Sequence, residues 1–163
     1  MSDLAVHLGS LVTVARSRRY PTVLVGITQP SQIPDGILAE VGHACCLKVV
    51  DFREQVLTHE SSVIILGAYS RGQFITWLIG EARSAGGILV HRADEVIAAW
   101  PEPERKAFFM EFLRTECNDS EDRNRRVPIM LVSLHVQHFS LPNANRGQGI
   151  FHLLSDADKG ELK

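Results

Sequence analysis

Gly86-Gly87-Ile88-Leu89-Val90-His91-Arg92-Ala93-Asp94-Glu95-Val96 is the segment with the strongest structural signal in this chain. An apolar run between a Gly-Gly pair and charged residues is typical of a strand that is buried on both faces of a parallel sheet. Apolar residues recur at helical spacing before it, over Gln73 to Arg83, and after it, over Glu102 to Leu113. Charged residues at the carboxyl end of such a strand lie where open α/β sheets bind ligands. The segment therefore predicts a fold class and the place of a site.

Other apolar runs and periodic segments extend this α/β pattern along the chain. Buried strands are predicted over Val23–Ile27, Leu47–Asp51, Ile88–His91 and Ile129–Ser133, with a short last strand over Ile150–Leu154. Ser62 to Leu66 is either a further strand or irregular chain. Helices are predicted over Leu4 to Val14 and from Asp35, as N-cap, to about Val41. The alternation predicts a three-layer α/β sandwich, with a mostly parallel sheet and helices on both faces.

Length, charge and cysteine content predict one ordinary intracellular domain. The 163 residues form one domain, with an N-terminal helix in 1–20 and a short tail in 155–163. The net charge of -2 gives no evidence for nucleic acid or for an anionic membrane. No apolar run reaches the roughly 18 residues of a membrane span. Three cysteines, including adjacent Cys45 and Cys46, favour a reduced, cytoplasmic protein.

Three segments in the second half of the chain match successive motifs of one protein family. They are GEARSAGGILVHRADEV, VPIMLVSLH and SLPNANRGQGIF. In this order they resemble the helix and Walker B strand, the sensor-1 strand and the arginine-finger turn of the AAA+ branch of P-loop NTPases, which has an ASCE-type core. The resemblance extends over roughly Val23 to Leu154. It implies a P-loop NTPase-like sheet without the helical lid of the family, and it implies Arg146 as an interface residue.

The phosphate-binding loop of that family corresponds to Gly26 to Ile33, where its motif is largely lost. A working loop needs G-x-x-x-x-G-K-[ST], because backbone N–H groups and the lysine bind phosphate while the hydroxyl holds Mg²⁺. Ser31, Gln32 and Ile33 stand here in place of Gly, Lys and Ser/Thr. The resemblance thus implies only a degenerate set of nucleotide-binding residues in this loop, namely Gly26, Thr28, Ser31 and Gln32.

The Walker B and sensor positions are also altered. By strand length, His91 and Arg92 fall on the Walker B Asp and Glu, and Asp94 falls on a later Asp of the pattern. A second register puts Asp94 and Glu95 themselves at Walker B, and the sensor-1 polar residue would be His135. Phosphoryl transfer needs a metal carboxylate and a phosphate-binding cation. The motifs therefore do not support ATP and Mg²⁺ as cofactors, and they identify no catalytic residue.

Each of these residues also has a simpler structural interpretation. Asp94 and Glu95 would form a first-turn helix cap on Val96 to Ala99. Gly26 would be a glycine at the end of a strand, and Arg146 would be a solvated turn residue. A metal site at His91, His135 and His138 is not predicted, because strand positions three apart face opposite sides.

Three functions are consistent with these patterns. The leading one is a catalytically degenerate AAA+-like module that acts as a non-hydrolysing assembly or regulatory subunit, bound to a protein partner or to copies of itself. The second is an unorthodox nucleotide hydrolase that uses Asp94 or Glu95 for the metal and Arg92 for phosphate. The third is a histidine-based hydrolase or nuclease of unrelated type. We expect negligible ATP turnover and no association with membranes.

Overall fold

A parallel sheet of five strands lies at the centre of the fold. The computed structural model describes residues 1–27, 33–57, 69–133 and 148–154. In chain order the strands are β1 (Thr22–Gly26), β2 (Lys48–Asp51), β3 (Ile88–His91), β4 (Ile129–Ser133) and β5 (Ile150–Leu153). Their order across the sheet is β2-β3-β4-β1-β5, and all neighbouring pairs are parallel. The predicted parallel sheet is confirmed, while the segment Ser62 to Leu66 lies outside the described residues.

Six helices connect or precede these strands within the described ranges. They are α1 (Asp3–Arg16), α2 (Asp35–Cys45), α3 (Phe52–Leu57), α4 (Arg71–Ala85), α5 (Asp94–Ala99) and α6 (Glu102–Phe112). The prediction that Asp35 is the N-cap of α2 is wrong by one residue. Pro34 occupies the N-cap, and Asp35 is the first helical residue, where its negative charge favours the helix dipole. Helix α4 begins earlier than predicted because Ser70 and Gln73 form a capping box.

Two apolar clusters cover the two faces of the sheet. Successive strand residues point to opposite faces, so Leu24 packs into one cluster and Val23 and Val25 pack into the other. Apolar residues of α1 and α2 complete the cluster around Val23 and Val25. Residues of α4, α5 and α6 complete the cluster around Leu24. Helices thus lie on both faces, as predicted. No helix within the described ranges is both long and apolar enough to cross a membrane.

Candidate functional site

The carboxyl ends of β1, β3 and β4 meet at one edge of the sheet and border a small pocket. Its lining residues are Ile27, Ile33, Leu38, His91, Arg92, Asp94 and Val132. As bounded by the described residues, its volume is about 20 Å³, enough for roughly one water molecule, which needs about 10–15 Å³. Helix α2 follows β1 on one face of the sheet, and α5 follows β3 on the other. Open α/β sheets bind ligands where the chain diverges in this way.

Arg92 is the cationic centre of this edge. Its Nη1 lies 2.8 Å from Oδ2 of Asp51, at the end of β2. Its Nη2 lies 3.5 Å from Oδ2 of Asp35, at the start of α2. The backbone of Arg92 has a φ of 57°, a left-handed conformation that costs a non-glycine residue roughly 1–2 kcal/mol. This strained residue therefore holds three elements together at the carboxyl edge.

His91 contributes a neutral imidazole to the pocket wall. It is the last residue of β3, is 8% exposed, and lies beside Asp51 in the sheet register. Burial lowers the pKa of His91 below its ordinary value of 6.5, although the carboxylates of Asp51 and Asp35 oppose this shift. The resemblance matches His91 to a Walker B carboxylate. At neutral pH this position therefore carries no charge.

Asp94 and the last residue of β4 form a second polar contact at this edge. Ser133 is 1% exposed, and its Oγ donates a hydrogen bond of 3.0 Å to Oδ1 of Asp94. Asp94 is the first residue of α5, and Glu95 follows it in the first turn. The predicted first-turn position is confirmed, but the N-cap is Ala93, which makes no side-chain capping hydrogen bond. Oε1 of Glu95 lies 3.5 Å from Nε of Arg53, and both side chains are more than half exposed. Exposed ion pairs of this kind contribute about 0–1 kcal/mol to stability. Of the two neighbouring carboxylates, Asp94 is the one that lines the pocket.

The structure brings some of the predicted site residues together and does not describe others. His91, Arg92 and Asp94 line one pocket. Gly26 ends β1 and lies beside Ser133 in register. The remaining predicted site residues lie outside the described ranges; they are Thr28, Ser31, Gln32, His135 and Arg146.

Three polar residues of this edge were missed in the sequence. Asp51 is the first charged residue after the apolar run of β2, so the rule that drew attention to Arg92 would have found it. Ser133 lies at the end of β4 and gives only a weak signal, because serine is common at strand ends and in turns. Asp35 was recognised as a helix-start residue, and its ion pair with Arg92 had no signal in the local pattern.

The carboxylates of the edge do not form a metal cluster in the described part of the chain. No group of three or more histidine, cysteine, aspartate or glutamate residues there is arranged to hold a metal ion. Asp51 and Asp35 both pair with Arg92 instead. A Mg²⁺ ion at this edge would have to compete with a guanidinium for these oxygens.

No protein-family model, curated protein or solved structure matches this chain. A functional assignment therefore depends on the residues of the carboxyl edge and on the order of the strands.

Proposed function

We propose that this chain is a catalytically degenerate AAA+-like module, which acts as a non-hydrolysing assembly or regulatory subunit of a larger complex. The observation that carries the proposal is the ion-pair cluster of Arg92 with Asp51 and Asp35. Resemblance matches Arg92 to a Walker B carboxylate, and a guanidinium there repels the divalent cation that phosphoryl transfer needs. The two carboxylates nearest to Arg92 are already paired with it.

The order of the strands supports the fold part of the proposal. In ASCE-type P-loop NTPases, the group that the sequence resembles, an additional strand lies between the P-loop strand and the Walker B strand. Here β4 lies between β1 and β3, the strands matched to those two motifs. The two common doubly wound orders instead place the first strand beside the second. In this sheet β1 pairs with β4 and β5, so the order favours the ASCE-type arrangement over both.

The charges near the pocket also oppose nucleotide binding. The described ionic groups that line the pocket or contact Arg92 are one arginine, Arg92 itself, and three aspartates, Asp35, Asp51 and Asp94. Counting each at full charge, +1 and -3 sum to -2. With His91 neutral, this edge repels a polyphosphate that is not accompanied by a metal ion.

A nucleotide hydrolase that uses Asp94 is the second candidate. Asp94 is the observation that favours it, because this carboxylate lines the pocket and is held there by the hydrogen bond from Ser133. An aspartate with waters and substrate phosphates is a common way to hold Mg²⁺. The two candidates thus differ in a measurable quantity, which is turnover of nucleotide in the presence of Mg²⁺.

Steady-state assays with ATP and GTP in the presence of Mg²⁺ test the proposal. We expect turnover far below the roughly 1–10³ s⁻¹ that is typical of enzymes. Asp94→Asn and Glu95→Gln form a matched pair, since they neutralise adjacent carboxylates inside and outside the pocket. Turnover in the enzymatic range that Asp94→Asn abolishes and Glu95→Gln keeps would establish the second candidate in place of the first.

A further inference from the structure

Two histidines that are far apart in the sequence meet on the surface, and neither of them lines the carboxyl-edge pocket. His7 lies on α1 and His152 lies on β5, 145 residues later. Their Nε2 atoms are 3.2 Å apart. The ring centroids are 4.6 Å apart, and the ring planes are inclined at 61°. The two imidazoles are therefore inclined to each other in an edge-type contact that brings their Nε2 atoms within hydrogen-bonding distance.

The distance between the two nitrogens fits a shared metal ion. Zinc binds histidine nitrogen at about 2.0–2.1 Å with tetrahedral geometry, which separates two such nitrogens by about 3.3–3.4 Å. The observed 3.2 Å differs from that separation by only one or two tenths of an ångström. Small rotations of the two side chains can supply this difference without any movement of the backbone.

The backbone on both sides of the pair is anchored. Leu8 follows His7 and is fully buried, and Leu4, one turn earlier on α1, is 4% exposed. Leu154 follows His152 by two residues and is 2% exposed. These three side chains belong to the same apolar cluster. The two imidazoles are thus presented by rigid elements, which is the preorganisation that an effective metal site needs.

We propose that His7 and His152 form a binding site for Zn²⁺ on the surface of the protein. Imidazole nitrogen is a preferred ligand of zinc, and water molecules would complete the tetrahedron. In the hydrogen-bonded pair one ring donates Nε2–H and the other accepts. Metal binding moves that proton to Nδ1 of the donor ring, so both Nε2 lone pairs face the ion and neither ring changes its charge. The ion would tie α1 to β5, and the site does not depend on the function proposed above.

Isothermal titration calorimetry with ZnCl₂ on the full chain, freed of metal by a chelator, tests this site. We expect one Zn²⁺ per chain. His7→Gln and His152→Gln should each weaken binding by at least about tenfold, since even the loss of an outer partner of a ligand costs 10–100-fold. His43→Gln is the matched control, because His43 is an exposed histidine in the last turn of another helix, α2. It should bind zinc as the unaltered chain does.

The double variant His7→Gln/His152→Gln separates this site from other zinc ligands, because it keeps every cysteine of the chain. If it binds Zn²⁺ as tightly as the unaltered chain, or if the unaltered chain binds none, the proposal is wrong and the pair is a hydrogen bond only. A second measurement is thermal unfolding with and without Zn²⁺. Binding to the folded state should raise the Tm of the unaltered chain and of His43→Gln. An equal rise in the double variant would also overturn the proposal.

Discussion

Single residues at the carboxyl edge combine strain with ion pairing. Arg92 has a left-handed backbone and pairs with two aspartates, while the neighbouring His91 is buried in a neutral state. Strained residues persist where surrounding contacts hold them in place, and they often mark sites of function. Substitutions at Arg92 and His91 can separate the contributions of backbone strain and of charge to the unfolding free energy.

Replacing Arg92 by glycine should leave the protein more stable than replacing it by alanine. Both variants lose the same ion pairs, but only glycine relieves the left-handed strain. The expected difference in unfolding free energy is about 0.5–1 kcal/mol, because the freedom of glycine in the unfolded chain offsets part of the gain. Urea unfolding measures it. Arg53 in helix α3 is the control, since there glycine should be the less stable variant by about 0.5–1 kcal/mol. If the glycine and alanine variants show the same order of stability at positions 92 and 53, the backbone of Arg92 is not strained.

The buried His91 should make the protein less stable in mild acid. Its folded-state pKa is lowered, so below pH 6.5 the unfolded chain binds the proton more readily than the folded chain does. Stability should therefore fall as the pH drops below 6.5 and through the depressed pKa. Urea unfolding at several pH values should show this slope, and His91→Gln should flatten it. An unaltered slope in His91→Gln would show that other groups cause the acid sensitivity.

Among the elements, edge strand β5 depends on a close approach to β1. Gly149 immediately precedes β5, and its N–H donates a 2.6 Å hydrogen bond to the carbonyl of Leu113. A Cβ atom on Gly149 would lie 2.7 Å from the carbonyl oxygen of Thr22 and would overlap the Thr22 hydroxyl. The glycine therefore permits the pairing that joins β5 to the sheet.

Gly149→Ala should lower the unfolding free energy by about 1–3 kcal/mol, the usual cost of overpacking a tight contact. Gly80→Ala is the control, because Gly80 lies within α4 and a Cβ there meets nothing within 4 Å. That change should stabilise the protein by roughly 0.5–1 kcal/mol. Denaturant unfolding of both variants gives the comparison. Equal stability of Gly149→Ala and the unaltered chain would mean that β5 can move aside.

For the whole molecule, the proposed function is one of assembly. The five strands form an all-parallel sheet, and Arg92 pairs with Asp51 and Asp35 at its carboxyl edge. In the function proposed above, this is the edge where an NTPase core would hold its metal. Arg146, which lies outside the described residues, is the residue that the resemblance assigns to an interface.

Arg146→Ala should weaken association and leave folding unchanged. A solvated turn residue contributes less than about 0.5 kcal/mol to stability. An arginine at the centre of an interface can contribute 2 kcal/mol or more to binding. Thermal melting, paired with size-exclusion chromatography and co-purification, measures both quantities, and Arg123→Ala in the exposed segment before β4 serves as a control. A sharp drop in Tm with unchanged assembly would make Arg146 structural.

The sequence alone determined the strands, most helices and the edge of the sheet where the candidate site lies. Burial on both faces leaves a local record, a continuous apolar run such as Ile88–Val90, and the ends of parallel strands share one edge by geometry. Tertiary structure alone decided that β4 lies between β1 and β3, that Arg92 pairs with Asp51 and Asp35, and that His7 meets His152. These contacts join residues far apart in the chain. Local periodicity records whether a residue is buried, but it does not record which distant strand or helix lies against it.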